Sequence, residues 1–192
     1  TVIYDRRDLY AYPSRGWMAK FTVTQNGLFN PDINYLQYLV DLRKYFNYHG
    51  IILATRLYTK QSLGDLPVYD RVYLGYVERI RGHFYQVIEG RHAFSVGVGL
   101  RFPLLPVRYF SLPAALVPES STRNLKFGIN MGLFAESGMV WSRWQEFSPK
   151  NFISGFGVGL HFLLPYVEVV RADLAFDEKL HSQFLIEVLM PF

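Results

Sequence analysis

The chain has 192 residues, of which 50% are hydrophobic, 17% aromatic and only 19% charged, a balance too apolar for disorder and sized for one domain or one half of a larger assembly. It has no cysteine, which excludes disulfides and thiolate metal sites, and its net charge of +4 is scattered without a Lys/Arg run, which argues against nucleic acid as a partner. No apolar run reaches the roughly 18 residues of a transmembrane helix, and the mean hydropathy of +0.06 is ordinary for a membrane β-barrel, where every second residue meets lipid.

No signal peptide is legible at Thr1, so an exported form would already be mature. Residues 1–14 read as the tail of a strand followed by a turn, with Asp5, Asp8 and Pro13 supplying turn chemistry. From Trp17 to Thr24, Trp17, Ala19, Phe21 and Val23 share one face and Met18, Lys20, Thr22 and Thr24 the other. Asn26-Gly27 and Asn30-Pro31-Asp32 mark a loop. From Tyr35 to Asn47, Leu36, Tyr38, Val40 and Leu42 oppose Gln37, Asp41, Arg43 and Asn47. The break at Tyr48-His49-Gly50 is short enough for a hairpin into Ile51–Lys60.

Leu66 to His92 is a long connection, rich in Tyr and Arg and poor in Ser and Gly. That composition predicts a loop that packs, and we read it as folding into a barrel mouth and docking through Arg81. In the strand Ala93–Phe102, Phe94, Val96, Val98, Leu100 and Phe102 form an unbroken apolar face opposite Ala93, Ser95, Gly97, Gly99 and Arg101. Glycines on one face predict a close approach from inside or a tight bend. Pro103–Asn124 reads as a second long connection, with LPAALVP at its middle.

Alternation resumes at Leu125, Phe127, Ile129, Met131 and Leu133, against Lys126, Gly128, Asn130, Gly132, Phe134 and Glu136. After a polar, aromatic loop, Phe156, Val158, Leu160 and Phe162 oppose Gly155, Gly157, Gly159 and His161. A turn at Leu164-Pro165 leads to a strand in which Val170, Ala172, Leu174 and Phe176 oppose Arg171 and Asp173. The last strand places Phe184, Ile186, Val188, Met190 and Phe192 on one face. The total is about eight strands of about ten residues, the length that crosses a bilayer when tilted. Short and long connections alternate, as on the two rims of an outer-membrane barrel. The predicted fold class is therefore all-β: a transmembrane antiparallel β-barrel, one domain over residues 1–192, with a long inward-folding loop. Trp17, Trp141 and Trp144 near strand ends read as interfacial belts.

Together these segments resemble the carboxyl-terminal half of the barrel of the BamA/TamA/FhaC superfamily of outer-membrane insertases and secretion pores, the bacterial surface antigen type. DRRDLYAYPSRG is similar to that family's Asp-x-Arg…Pro-x-x-Gly turn, and LPVYDRVYLGY…RIRG to the segment that forms its sixth extracellular loop. Ile80, Arg81 and Gly82 fall on the aliphatic, Arg and Gly positions of the loop motif; His83 and Tyr76 depart from it. LFAESGMVW resembles the later strand, with Glu136 in place of Asp, and FGVGLHFLLPYVEVVRADLAF resembles the glycine-rich hairpin with its Arg-x-Asp. Phe184, Ile186, Val188, Met190 and Phe192 resemble the signal read by the outer-membrane assembly machinery.

The resemblance implies that Arg81 docks in the lumen against Glu136. The residues alone leave Lys126 as another partner for Glu136, and pair Arg171 with Asp173 in the lumen. The family barrel has twice as many strands and carries periplasmic repeats, which this chain is expected to lack. Its closure then has three routes: a homodimer paired edge to edge, solitary closure with the loop outside, or completion by another chain. The implied function is protein or lipid insertion or transport at the bacterial outer membrane, with outer-membrane lipid and outer-membrane proteins as partners. The alternatives are a structural or pore-forming barrel without insertase activity and a lipid-modifying enzyme. No enzyme activity is expected, because no Gly-x-Ser-x-Gly motif occurs. No cofactor or metal is expected either, since His83, His92 and His161 lack ligand spacing.

Overall fold

The computed structural model describes residues 1–27, 33–111, 125–167 and 169–188. Nine strands form one antiparallel sheet, each paired with its neighbours in sequence: β1 (Val2–Asp5), β2 (Gly16–Asn26), β3 (Tyr35–Tyr48), β4 (Ile51–Gly64), β7 (His92–Phe110), β8 (Leu125–Trp141), β9 (Ile153–Leu163), β10 (Val170–Asp177) and β11 (Ser182–Val188). The meander skips only β5 (Val72–Leu74) and β6 (Ile88–Gly90), which pair with each other inside the long connection. Among the described residues the sheet does not close on itself: β1 and β11 are its two edges. Instead of lying outside a solitary barrel, the long loop packs against one face of this open sheet.

Period two decides which face is which. Val96 is 44% exposed while Arg101, on the opposite parity of β7, is 4% exposed. On β11, Phe184 and Ile186 are each 65% exposed and Leu185 is 4% exposed. A water-soluble domain would bury Val96, Phe184 and Ile186 and solvate Arg101. The inversion fits a sheet whose outer face meets hydrocarbon and whose inner face is covered by its own polar and loop residues. The β3–β4 turn shows the local chemistry: His49 (φ 50°) and Gly50 (φ 86°) form a two-residue hairpin between paired Tyr48 and Ile51.

Three sequence expectations change. The connection after Phe102 starts later, because β7 runs on to Phe110. Pro103 and Pro106 do not end it; register shifts between Pro103 and Leu105 and between Leu105 and Arg108 absorb the missing amide donors as bulges. LPAALVP lies outside the described residues. The Leu66–His92 connection, read as a loop throughout, holds a 3-10 turn at Val68–Asp70 and the β5–β6 pair. Finally, Trp141 is no lipid-facing belt residue. It is 3% exposed, with its ring 5.4 Å from His92 and 5.0 Å from Phe147.

Leu133 sits midway along β8 on the outer face. Leu133→Arg is expected to cost about 2–4 kcal/mol in a bilayer. Denaturant unfolding from lipid vesicles checks this; an unchanged stability contradicts a hydrocarbon-facing surface.

Candidate functional site in the concave face

The long loop is pinned across the whole inner face. At its start, the Tyr35 hydroxyl donates to Asp70 Oδ2 at 2.6 Å and Gln37 Nε2 to the Asp70 carbonyl at 3.1 Å. Further along, Arg56 Nη2 bridges Asp41 Oδ2 at 2.9 Å and the loop's Glu78 Oε1 at 2.8 Å. Past the motif, the Phe84 amide donates to Gln183 Oε1 of β11 at 3.0 Å. The loop is therefore tied to the inner face at points from β3 to β11.

Arg81 is the centre of this path. Its Nε donates to Glu136 Oε1 at 2.8 Å, its own amide to Glu136 Oε2 at 3.0 Å, and Nη2 also bonds Glu136. Nη1 donates to Asp173 Oδ2 at 2.9 Å. The guanidinium carbon stands 3.6 Å from the centroid of the Phe134 ring, two residues before Glu136 on the same face of β8. Two carboxylates and one ring thus surround a buried cation, the arrangement that a planar, five-donor group exploits and an ammonium cannot.

The strands leave room for this. Glu136 is paired with Gly97 on β7 and Gly155 on β9, so no side chain flanks it. The Arg81 carbonyl rests directly on Gly155, where a Cβ would overlap it. Gly82 takes φ +98°, a left-handed turn that a side chain would strain, and its missing side chain leaves space for the Phe176 carbonyl. Ile80, 3% exposed, fills the adjacent space beside Gly138. Ile80, Arg81, Gly82 and Glu136 thus come together at one place.

The expected Arg171–Asp173 pair does not form. Strand register sets Arg171 opposite Glu187, with which it makes its ion pair, while Asp173 turns to Arg81. The partner of Glu136 is Arg81, and no Lys126 contact to it is made among the described residues. Of the residues that resemble an assembly signal, Phe184, Ile186 and Val188 line the exposed face of β11; Met190 and Phe192 lie outside the described residues.

Several contributors were missed in sequence. Asp173 is the second carboxylate, legible only as a lumen-facing position. His83, which departs from the loop motif, makes a latch: its Nε2 lies 2.8 Å from Glu178 Oε2 and 3.2 Å from the Ser154 carbonyl. From the opposite rim, the β1–β2 turn folds inward too. The Tyr12 hydroxyl lies 2.8 Å from His161 Nδ1, and Arg101 Nη1 donates to the Pro13 carbonyl at 2.9 Å. His161 Nε2 stands 3.7 Å from Asp173 Oδ1, so the two inward segments meet around one carboxylate.

The Omp85 superfamily domain model matches residues 1–184. The chain belongs to the Omp85 superfamily. A crystal structure of BamA from Haemophilus ducreyi lacking POTRA domains 1–3 aligns with a TM-score of 0.66 at 16% identity, covering 97% of this chain and 39% of that one. The Omp85 chain thus has a BamA-type barrel fold over a part of that structure's length. Among curated proteins no sequence matches it significantly.

Arg81→Ala would leave Glu136 and Asp173 facing each other without their cation, a loss of about 3–5 kcal/mol for a broken buried pair. Arg81→Lys keeps the charge and loses the fork, so it recovers only part. Thermal unfolding in detergent ranks the three proteins; equal midpoints contradict the clamp. Glu178 gives a pH signature. Burial pushes its carboxyl up, but its own amide, the Ser154 amide and His83 outweigh this and hold its pKa below the ordinary 4.5. The latch is therefore complete above that value and is lost as pH falls through the lowered one. Protease cleavage near Phe84 should rise on that acid limb, and Glu178→Gln should remove the pH step.

Proposed function

We propose that this Omp85 chain forms part of an outer-membrane barrel that inserts or transports protein or lipid across the bacterial outer membrane, without a chemical step of its own. The observation that carries the reading is the loop held on the concave face by Arg81 between two strands. A docked loop fixes the lumen's shape and closes it to free flow. Work on the membrane would then come from a weakly paired seam or from bilayer thinned beside it. Unpaired strand edges are not tolerated in hydrocarbon, so β1 and β11 need partner strands from outside the described sheet. A second copy of the chain is one donor, which makes the barrel a homodimer; another chain is the other.

The test is insertion of a small outer-membrane protein into vesicles carrying the reconstituted chain. The proposal expects faster folding of the test protein than in empty vesicles, and loss of most of that acceleration in Arg81→Ala. Folding at the empty-vesicle rate contradicts the insertase reading and leaves a structural or pore-forming barrel. The mass of the detergent-solubilised species separates the closure routes: twice the 22.4 kDa chain mass is expected for the homodimer.

A further inference from the structure

On the outer face, strand register lines up four residues in one transverse row. The Arg6 amide donates to the Trp17 carbonyl at 2.9 Å, Trp17 pairs with Lys44, and Lys44 pairs with Thr55. All four lie on the outward parity, with Phe21, Leu42 and Leu57. The row sits near the rim opposite the long loop: Lys44 and Thr55 are each four residues from the turn joining Tyr48 to Ile51. That is roughly 14 Å of strand from the turn.

Arg6 and Lys44 are both exposed, and neither makes an ion pair among the described residues. Four inner-face arginines, Arg43, Arg56, Arg81 and Arg171, each hold a carboxylate, while Arg101 donates to the Pro13 carbonyl and lies 4.3 Å from the Tyr12 ring centroid. The two outer cations lean on rings instead. Arg6 Cζ is 5.5 Å from the Tyr4 centroid and Lys44 Nζ is 5.2 Å from that of Phe46. Tyr4 in turn packs against Trp17, with ring centroids 4.7 Å apart and ring planes tilted by 36°. Cations without a counter-charge beside hydrocarbon are costly, and they draw an anion to the interface. Beside them lies a groove of about 430 Å³ on the outer face, lined by Trp17, Leu42, Leu57 and Val96 together with Lys44 and Thr55, and also by Arg43 and Arg56. Thr55 makes the depression, since it is short and its hydroxyl turns back to the Lys44 carbonyl at 3.3 Å.

We propose that this row binds one anionic phospholipid, with the phosphate between Arg6 and Lys44, an acyl chain in the groove and Trp17 at the boundary between them. The proposal rests on the outer face meeting lipid, and it adds a defined lipid to that face. The charge pair selects an anionic headgroup, and the groove selects a chain-bearing ligand over a free ion.

Native mass spectrometry of the full chain, released from bilayer discs of equal phosphatidylglycerol and phosphatidylethanolamine, tests it. The wild-type chain should keep phosphatidylglycerol in preference. Arg6→Gln with Lys44→Gln should lower that retention by about tenfold or more, since each basic group at an anionic surface contributes several-fold. Lys44→Glu should abolish the preference, and Lys150→Gln, at the other rim, should leave it unchanged. Equal retention by the double variant, equal retention of the two lipids, or displacement by excess inorganic phosphate would each overturn the site. A chain that fails to enter the bilayer discs overturns instead the membrane reading beneath it.

Discussion

A guanidinium carried into a nearly dry face of a sheet must find negative charge there, and the arrangement around Arg81 answers that requirement. Coulomb attraction to one carboxylate would satisfy one edge of the group. Glu136 and Asp173 together satisfy both edges, and Phe134 covers the plane. Because the two carboxylates come from β8 and β10, the cation ties together strands that are not neighbours in the sheet. The loop is thus a cross-brace of the sheet.

The brace depends on what the inner face lacks. Glycines on β7 and β9 flank Glu136, so a backbone segment can lie flat on the sheet at Gly155. Glycine weakens a strand, and the strands here accept that cost where the loop covers them. The same alternation that clears the inner face puts Val, Leu and Phe on the outer one. One period-two pattern therefore serves both the lipid contact and the loop seat. At the far rim the β1–β2 turn reaches inward as well, through Tyr12 and Arg101, so Asp173 sits where the two inward segments converge.

Much of this was legible in the residues. Alternation located the strands of the large sheet and their faces, because a bilayer enforces that pattern on each strand separately. The resemblance implied the pairing of Glu136 with Arg81, and the parity of Glu136 agreed with it without excluding Lys126. What was not legible depended on register between strands distant in sequence. Nothing local shows that Asp173 reaches Arg81 while Arg171 faces Glu187. The prolines of β7 read as a strand end, since bulges depend on the partner strand rather than on local propensity. Trp141 read as a belt residue because its burial comes from Phe147 and His92, which the later loop and the start of β7 bring to it.

The claim on which the others depend is that the loop is held on the concave face by Arg81 between Glu136 and Asp173. Hydrogen exchange of the Ile80–Phe84 amides in lipid tests it most directly. The account predicts that the Arg81 amide, which donates to Glu136, exchanges as slowly as strand amides of β8 in the wild-type chain. In Glu136→Gln with Asp173→Asn it should exchange at the rate of exposed loop residues while β8 stays protected. Fast exchange in the wild type, or unchanged protection in the double variant, would contradict the account.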